Sequence, residues 1–268
     1  MDKFTTFRWW RQFALALGCL LLVIACNNTS PNSSGSKTLK VATDPTFAPF
    51  EFKGSDGKLQ GFDIDLVNSI GKAAGLEVQY ENMPFDGMIA SLQSLKVDAA
   101  VAGMTITAER AKTIDFSKPY FKAGLAIAVR DNNQGISNLD SLKNKKIAVQ
   151  IGTTSANKAK TIPGAKISTF DTPDLALQEL ANGNVDAVIN DRPVTLYAFN
   201  TGKLKGIKMV GQQLTEEYYG IGTPKNSPKL AAINQGLETI IKDGTYTQIY
   251  KKWFNEEPPK LPETAPLK

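Results

Sequence analysis

Histidine is absent from all 268 residues, and cysteine occurs twice, at Cys19 and Cys26. Without histidine the chain has no Ser-His or Cys-His nucleophile system, and it lacks the commonest zinc ligand. If the leader is removed, the remaining domain has neither a disulfide nor a free thiol. No metal site and no cofactor are therefore expected. The sequence also lacks a dense Lys/Arg block, C-x-x-C pairs and aromatic-basic motifs, which argues against a nucleic-acid partner. Its 31 Lys+Arg against 26 Asp+Glu leave a small net charge of +5, spread along the chain.

What is present begins with a distinct leader. Lys3, Arg8 and Arg11 precede an apolar run from Phe13 to Ala25. A membrane-spanning helix needs roughly 20 apolar residues, so this shorter run reads as the core of a signal peptide, residues 1–25. It ends in "VIAC", and Cys26 is followed by the polar stretch "NNTSPNSSGS". That arrangement resembles a bacterial lipobox: cleavage before Cys26, a lipid on its sulfur, and a flexible linker over 26–37. An ordinary signal peptide with an incidental Cys26 is the alternative. Cleavage would remove three cations and Asp2, taking the net charge from +5 to +3. More than one acyl chain is needed for a stable anchor.

From residue 38 onward, strand-like and helix-like stretches alternate. "TLKVAT" (38–43), "LEVQY" (76–80) and "VDAAVA" (97–102) read as strands, separated by amphipathic stretches at 62–75 and 85–96. A second series has strands at 125–130, 145–150 and 185–189 and helices opening at "GTTSANKAK" and "TPDLALQELANG". Such alternation predicts an α/β fold with crossover helices. "VDAAV" and "VDAVI" each follow a Leu/Ala-rich helix, suggesting two lobes on one βαβ plan. Two more helices, divided at Asp243-Gly244, lead to a proline-rich tail, 258–268, expected to be disordered.

Ligands of open α/β sheets bind beyond the carboxyl ends of the strands. That rule selects the loops "DPTFAPFEF", "MPFDG", "GMTITAER", "IGTTS" and "NDRP", which hold acids including Asp44 and Asp191, the arginine Arg110, aromatics, hydroxyls and free N–H groups. The set suits a small zwitterion with an aliphatic stem. Arg110 is notable because a helix start disfavours a cation, so its place needs a reason beyond the helix.

The segments "VATDPTFAPFEF…GFDIDL", "MPFDGMIASLQ", "AGMTITAERAKTIDFSKPY", "IAVQIGTTS" and "DGTYTQIYKKWF" resemble the polar amino-acid-binding proteins of bacterial ABC importers, above all the glutamine-binding type. The resemblance runs from about residue 39 to 254. It implies a two-lobed type II periplasmic binding protein of the Venus-flytrap kind, each lobe a βαβ-based sheet flanked by helices, with a two-stranded hinge. Lobe 1 would comprise 38–123 and 217–257, and lobe 2 residues 124–216. The implied function is capture of a free polar amino acid by a monomer and its delivery to a permease in the cytoplasmic membrane. The domain would face the periplasm or cell exterior, tethered to the bilayer through Cys26.

The resemblance also implies roles. Arg110 grips the ligand carboxylate, assisted by N–H groups near Thr105, Thr153 and Thr154. Asp191, the Gly103 carbonyl and the Thr105 hydroxyl take the ammonium. Phe47 and Phe85 sandwich the methylenes, and Asp44 reads the distal group. Gln150 and Asn190 stand where the glutamine-binding pattern has a lysine and a histidine. Both changes remove positive charge and leave Asp44 unbalanced, which favours a basic ligand. The overall pattern places glutamine first, with arginine or lysine close behind. An exported cyclohexadienyl dehydratase-like enzyme, with Glu51 or Glu217 as acid or base, and a ligand-sensing receptor subunit are the alternatives.

Overall fold

The computed structural model describes residues 37–202 and 204–267. The signal peptide 1–25, Cys26 and nearly all of the linker 26–37 lie outside the described residues.

The first sheet grows from β1 (Thr38–Thr43), buried on both faces, with Val41 in one core cluster and Ala42 in another. A small three-stranded unit follows, made of β2 (Thr46–Phe47), β3 (Glu51–Lys53) and β4 (Leu59–Gln60). Helix α1 (Phe62–Ala74) buries Phe62, Leu66, Val67 and Ile70, the helical spacing visible in the sequence. Gly61 precedes it at φ 141°, where a Cβ would lie 2.0 Å from the Phe50 carbonyl oxygen. Gly75 ends it in the left-handed conformation.

The chain continues through β5 (Glu77–Asn82), α2 (Met88–Gln93), β6 (Ala99–Ala100), α3 (Ala108–Ala111), β7 (Ile114–Phe116) and β8 (Phe121–Ala123). The expected helix over 85–96 is instead a 3-10 turn at Phe85–Gly87 followed by α2. Its end is marked by Leu95 at φ 57°.

The second sheet is formed by β9 (Leu125–Arg130), β10 (Lys146–Gln150), β11 (Lys166–Phe170), β12 (Ala187–Asp191) and β13 (Ile207–Val210). Helices α4 (Thr154–Lys160), α5 (Pro173–Ala181) and α6 (Arg192–Asn200) connect them. Thr153 and Thr172 cap α4 and α5 through their hydroxyls, and Pro173 occupies the first turn of α5. The expected strand 185–189 is displaced to β12, because Asn190 and Asp191 pair with Ala126 and Leu125 of β9.

The chain returns through β14 (Glu217–Tyr219) and β15 (Gly222–Pro224) and closes with α7 (Lys229–Lys242) and α8 (Thr245–Phe254). Strand orders are β5-β1-β6-β15-β7 and β11-β10-β12-β9-β13. In each sheet three parallel strands continue into an antiparallel neighbour. The repeated "VDA" explains itself at this level. The Lys40 N–H donates to the Asp98 carboxylate, and the Lys146 N–H donates to that of Asp186, both at 2.9 Å. Each aspartate thus fastens the incoming strand to its parallel neighbour. Between the two sheets, β8 and β14 pair antiparallel from Phe121↔Tyr219 to Ala123↔Glu217, a two-stranded hinge.

The tail corrects an expectation. Residues 258–267 are not loose but lie along lobe 1, with Leu261 against its core, Ala265 buried and Glu263 paired with Lys118 at 2.6 Å. Proline richness suppresses helix and strand without preventing an extended segment from packing.

Candidate functional site

The five loops selected by the strand-end rule converge between the two sheets. A small cavity there, with about 10 Å³ in which a water centre fits, is lined from lobe 1 by Phe47, Phe85, Gly103, Thr105 and Arg110. Lobe 2 contributes Gln150, Thr153, Thr154 and Asp191. Ala102 also lines it and was not anticipated. Asp44 and Asn190 sit behind this wall. Both are buried, and Asp44 is joined to the cavity lining by the Gln150 amide and the Phe85 N–H.

Arg110 owes its place to a capped but very short helix. The Thr107 hydroxyl accepts the Arg110 backbone N–H at 3.2 Å, and α3 ends one residue later. The guanidinium is 9% exposed and lies 5.2 Å from the Phe85 ring centroid. It donates to the Thr105 carbonyl at 2.8 Å and, across the cleft, to the Gly152 carbonyl at 3.1 Å. Burial lowers its pKa to about 10, against the nearby charges of Glu217 and Asp191, which raise it. It remains a cation at neutral pH, able to present a planar edge to a carboxylate.

Gly103 is required where it stands. At φ 52° a Cβ would lie 2.4 Å from the Phe47 ring, so only glycine lets this loop and the aromatic wall meet. Gly152, at φ 76°, passes Asp86 of the facing lobe, where a Cβ would sit 3.0 Å from that of Asp86. Close approach of the lobes depends on that bare backbone.

Asp191 begins α6 without capping it; its carboxylate instead accepts the Tyr219 hydroxyl at 2.7 Å. Burial first, then the charge of Glu217, raises its pKa to about 7, with Tyr219 and Arg110 acting the other way. Asp44 is also pushed upward, mainly by burial. Its partners are neutral: the Thr46 hydroxyl at 2.8 Å, the Phe85 N–H, and the Gln150 amide at 3.3 Å. Thr153 caps α4 and donates its hydroxyl to the Gln150 carbonyl. Asn190 donates to Thr195, whose hydroxyl in turn bonds the Asp191 carbonyl.

Sequence reasoning missed two supports of this site. Asp63 accepts the Gly103 N–H at 3.0 Å and the Tyr120 hydroxyl at 2.7 Å, fixing the Gly103 loop from below. Glu51, fully buried beside it, is held well above the carboxylate range by burial first and then by the charge of Asp63. Burial likewise raises Asp63 to about 6. Both residues stand in the quoted "FEF" and "GFD" segments, but nothing in the spacing shows that they meet. The second is Glu217, considered only as an acid of the enzyme alternative. It accepts the hydroxyls of Thr105, Thr154 and Thr215.

The sequence profile of bacterial extracellular solute-binding proteins, family 3, matches residues 39–256. A probable histidine-binding protein from Neisseria gonorrhoeae is 32% identical over 258 residues, 92% of this chain and 96% of that protein. An ancestral arginine-binding protein, solved with arginine and again with glutamine, is similar at 49% identity and TM-score 0.79. The arginine-bound structure is matched over 81% of this chain and 98% of its own, the glutamine-bound one over 82% and 99%. An ancestral amino-acid-binding protein described as a precursor of cyclohexadienyl dehydratase is 41% identical, with TM-score 0.75 and coverage of 81% and 96%. With this profile spanning both lobes and the hinge, the chain belongs to the bacterial extracellular solute-binding proteins, family 3.

Proposed function

We propose that the protein captures a polar L-amino acid in the interlobe cleft outside the cytoplasm and delivers it to an ABC importer, tethered to the membrane through Cys26. The observation that carries this reading is the placement of Arg110 and Asp191 on opposite walls of one cavity. They are complementary to the two poles of an α-amino acid. The carboxylate would take the Arg110 edge and the N–H groups that open α4, a position favoured by the helix dipole. The ammonium would lie against Asp191, the Gly103 carbonyl and Thr105, with Phe47 and Phe85 packing on the stem.

Local charge moves the preferred side chain from glutamine to arginine. Asp44, Asp191 and Glu217 outnumber Arg110, and the partners of Asp44 are a hydroxyl, an N–H and an amide rather than a cation. A zwitterion adds no net charge, so a cationic end near Asp44 is what balances the site. An amide could hydrogen-bond there without neutralising it, which makes glutamine the second ligand. The ancestral relative solved with each of these two ligands supports that pairing.

Binding rather than turnover also fits the acids considered for a dehydratase. Glu51 is sealed at 0% exposure, and both oxygens of Glu217 are engaged by hydroxyls. A thermal-shift screen against the twenty L-amino acids tests the reading. A ligand at 100 times its Kd adds about 2.7 kcal/mol of stability. The largest shift is expected with arginine and a smaller one with glutamine, whereas no shift with any amino acid would refute the proposal.

A further inference from the structure

Glu217 ties both lobes and the hinge segment with a single side chain. It lies on β14 opposite Ala123 of β8, at the lobe 2 end of the crossover pair. Its Oε1 accepts the hydroxyl of Thr215, two residues earlier on the hinge segment, at 2.9 Å. Its Oε2 accepts the hydroxyl of Thr105, from lobe 1, at 2.8 Å, and that of Thr154, from the first residue of α4 in lobe 2, at 2.9 Å. Glu217 itself is 9% exposed. Hydrogen bonds to a buried carboxylate are stronger than neutral ones.

We propose that Glu217 is a positioning residue that latches the closed cleft and fixes the Thr105 hydroxyl as an acceptor for the ligand ammonium. The second half rests on the amino-acid reading above; the first does not. A hydroxyl has one proton. Because Thr105 gives its proton to Glu217, only lone pairs remain for a group in the cavity, and those receive an N–H donor. The carboxylate also adds negative charge at this pole, as its effects on both Asp191 and Arg110 show. When the lobes part, α4 moves away from β14, and of the three bonds Glu217 accepts, the one from Thr154 must break. The latch therefore acts on release more than on capture.

Three variants of the full chain test this: Glu217→Ala, Thr154→Val, and the two combined. Stopped-flow binding of arginine should show each single variant dissociating faster, about tenfold or more for Glu217→Ala, as expected for loss of bonds to a charged group. Association rates should stay near wild type. In the combined variant, Thr154→Val should add nothing to Glu217→Ala, because the two remove one interaction. Glu217→Gln, which keeps an acceptor oxygen, should restore part of the closed lifetime. Additive single effects, or a Glu217→Ala dissociation rate equal to wild type, would overturn the latch. A second readout does not depend on the ligand's identity: the lobe-to-lobe distance by single-molecule FRET without ligand. Glu217→Ala and the gentler Thr154→Val should both lower the closed fraction. If no amino acid binds wild type but the closed fraction falls, the amino-acid reading fails and the latch stands. An unchanged closed fraction contradicts the latch in either case.

Discussion

The two lobes share a strand order and even the aspartate that fastens it, yet they are filled differently. Lobe 1 has one largely aliphatic cluster around Met88, Leu92 and Met104 and one rich in rings, where Phe50 lies within 6.0 Å of Phe62, Phe121, Tyr219 and Phe254, ring centre to ring centre. The fully buried members of the lobe 2 clusters are aliphatic, from Leu125 and Ile127 to Leu177 and Val188. Aromatic packing has few rotamers and specific edge-to-face geometry. Lobe 1 thus offers a stiff receiving wall of Phe47, Phe85 and Arg110. Lobe 2 offers a helix N-terminus and short polar side chains that, in the proposed binding mode, would complete the site. The lesson is that one topology serves two tasks according to what is packed inside it.

Removing the keystone of the aromatic cluster should have the largest effect. Phe50→Ala is expected to cost about 3–5 kcal/mol of stability, more than the comparable truncation Ile147→Ala in lobe 2, for which the range starts at about 2 kcal/mol. Urea unfolding of both variants measures the contrast, and equal losses would remove the distinction between the lobes. Arg110→Lys comes next. A lysine lacks the planar edge, so affinity for every amino-acid ligand should fall by about 10–100-fold, corresponding to a charged hydrogen bond worth about 1.5–3 kcal/mol. Calorimetry with arginine and glutamine should show similar losses for the two, since both carry the same carboxylate.

The stretches that set those predictions were legible to different degrees. Helix α1 and the six strands named from sequence follow from apolar periodicity and from glycine at helix ends, which are local signals. The hinge comes instead from the family resemblance, and strands β7, β11, β13 and β15 are not read from the sequence. Nine of the eleven ligand residues that the family resemblance implies line the cavity, on or beside loops that the strand-end rule also selects. What could not be read is what lies behind them. Glu51 meets Asp63, and Glu217 meets Thr154, across 12 and 63 positions of chain, through contacts that exist only once the lobes are packed. The tail misled for a related reason: its composition excludes regular structure, but Ala265 and Leu261 find a surface that only the fold creates.

A smaller effect separates ligands from one another. Asp44→Asn should weaken arginine by about tenfold, the order of one lost charge-assisted bond, and leave glutamine within a few-fold of its original affinity. Equal losses for both would assign the distal end elsewhere. The pH response should be smaller still per unit. With Asp191 raised to about 7 by burial, the ligand-free protein holds a proton there that the unfolded chain, with an ordinary aspartate, releases near 4. That contribution is fully present below about 4 and lost as pH rises through about 7. Ligand binding runs the opposite way. An ammonium beside Asp191 favours its charged form, so affinity should fall as pH drops below about 7, by at most about tenfold per unit. Titrations between pH 5 and 8 measure it, and a flat profile would place the ammonium away from Asp191.

The central claim is that opposite walls of the cleft grip the two ends of one zwitterion. Isothermal titration with L-arginine and with agmatine, which is arginine without its carboxylate, tests it most directly. One mole of arginine per mole of protein should bind, with agmatine weaker by about 100-fold or more because Arg110 is left buried without its anion. Agmatine binding as tightly as arginine would contradict the account, since the carboxylate would then have no partner in the site.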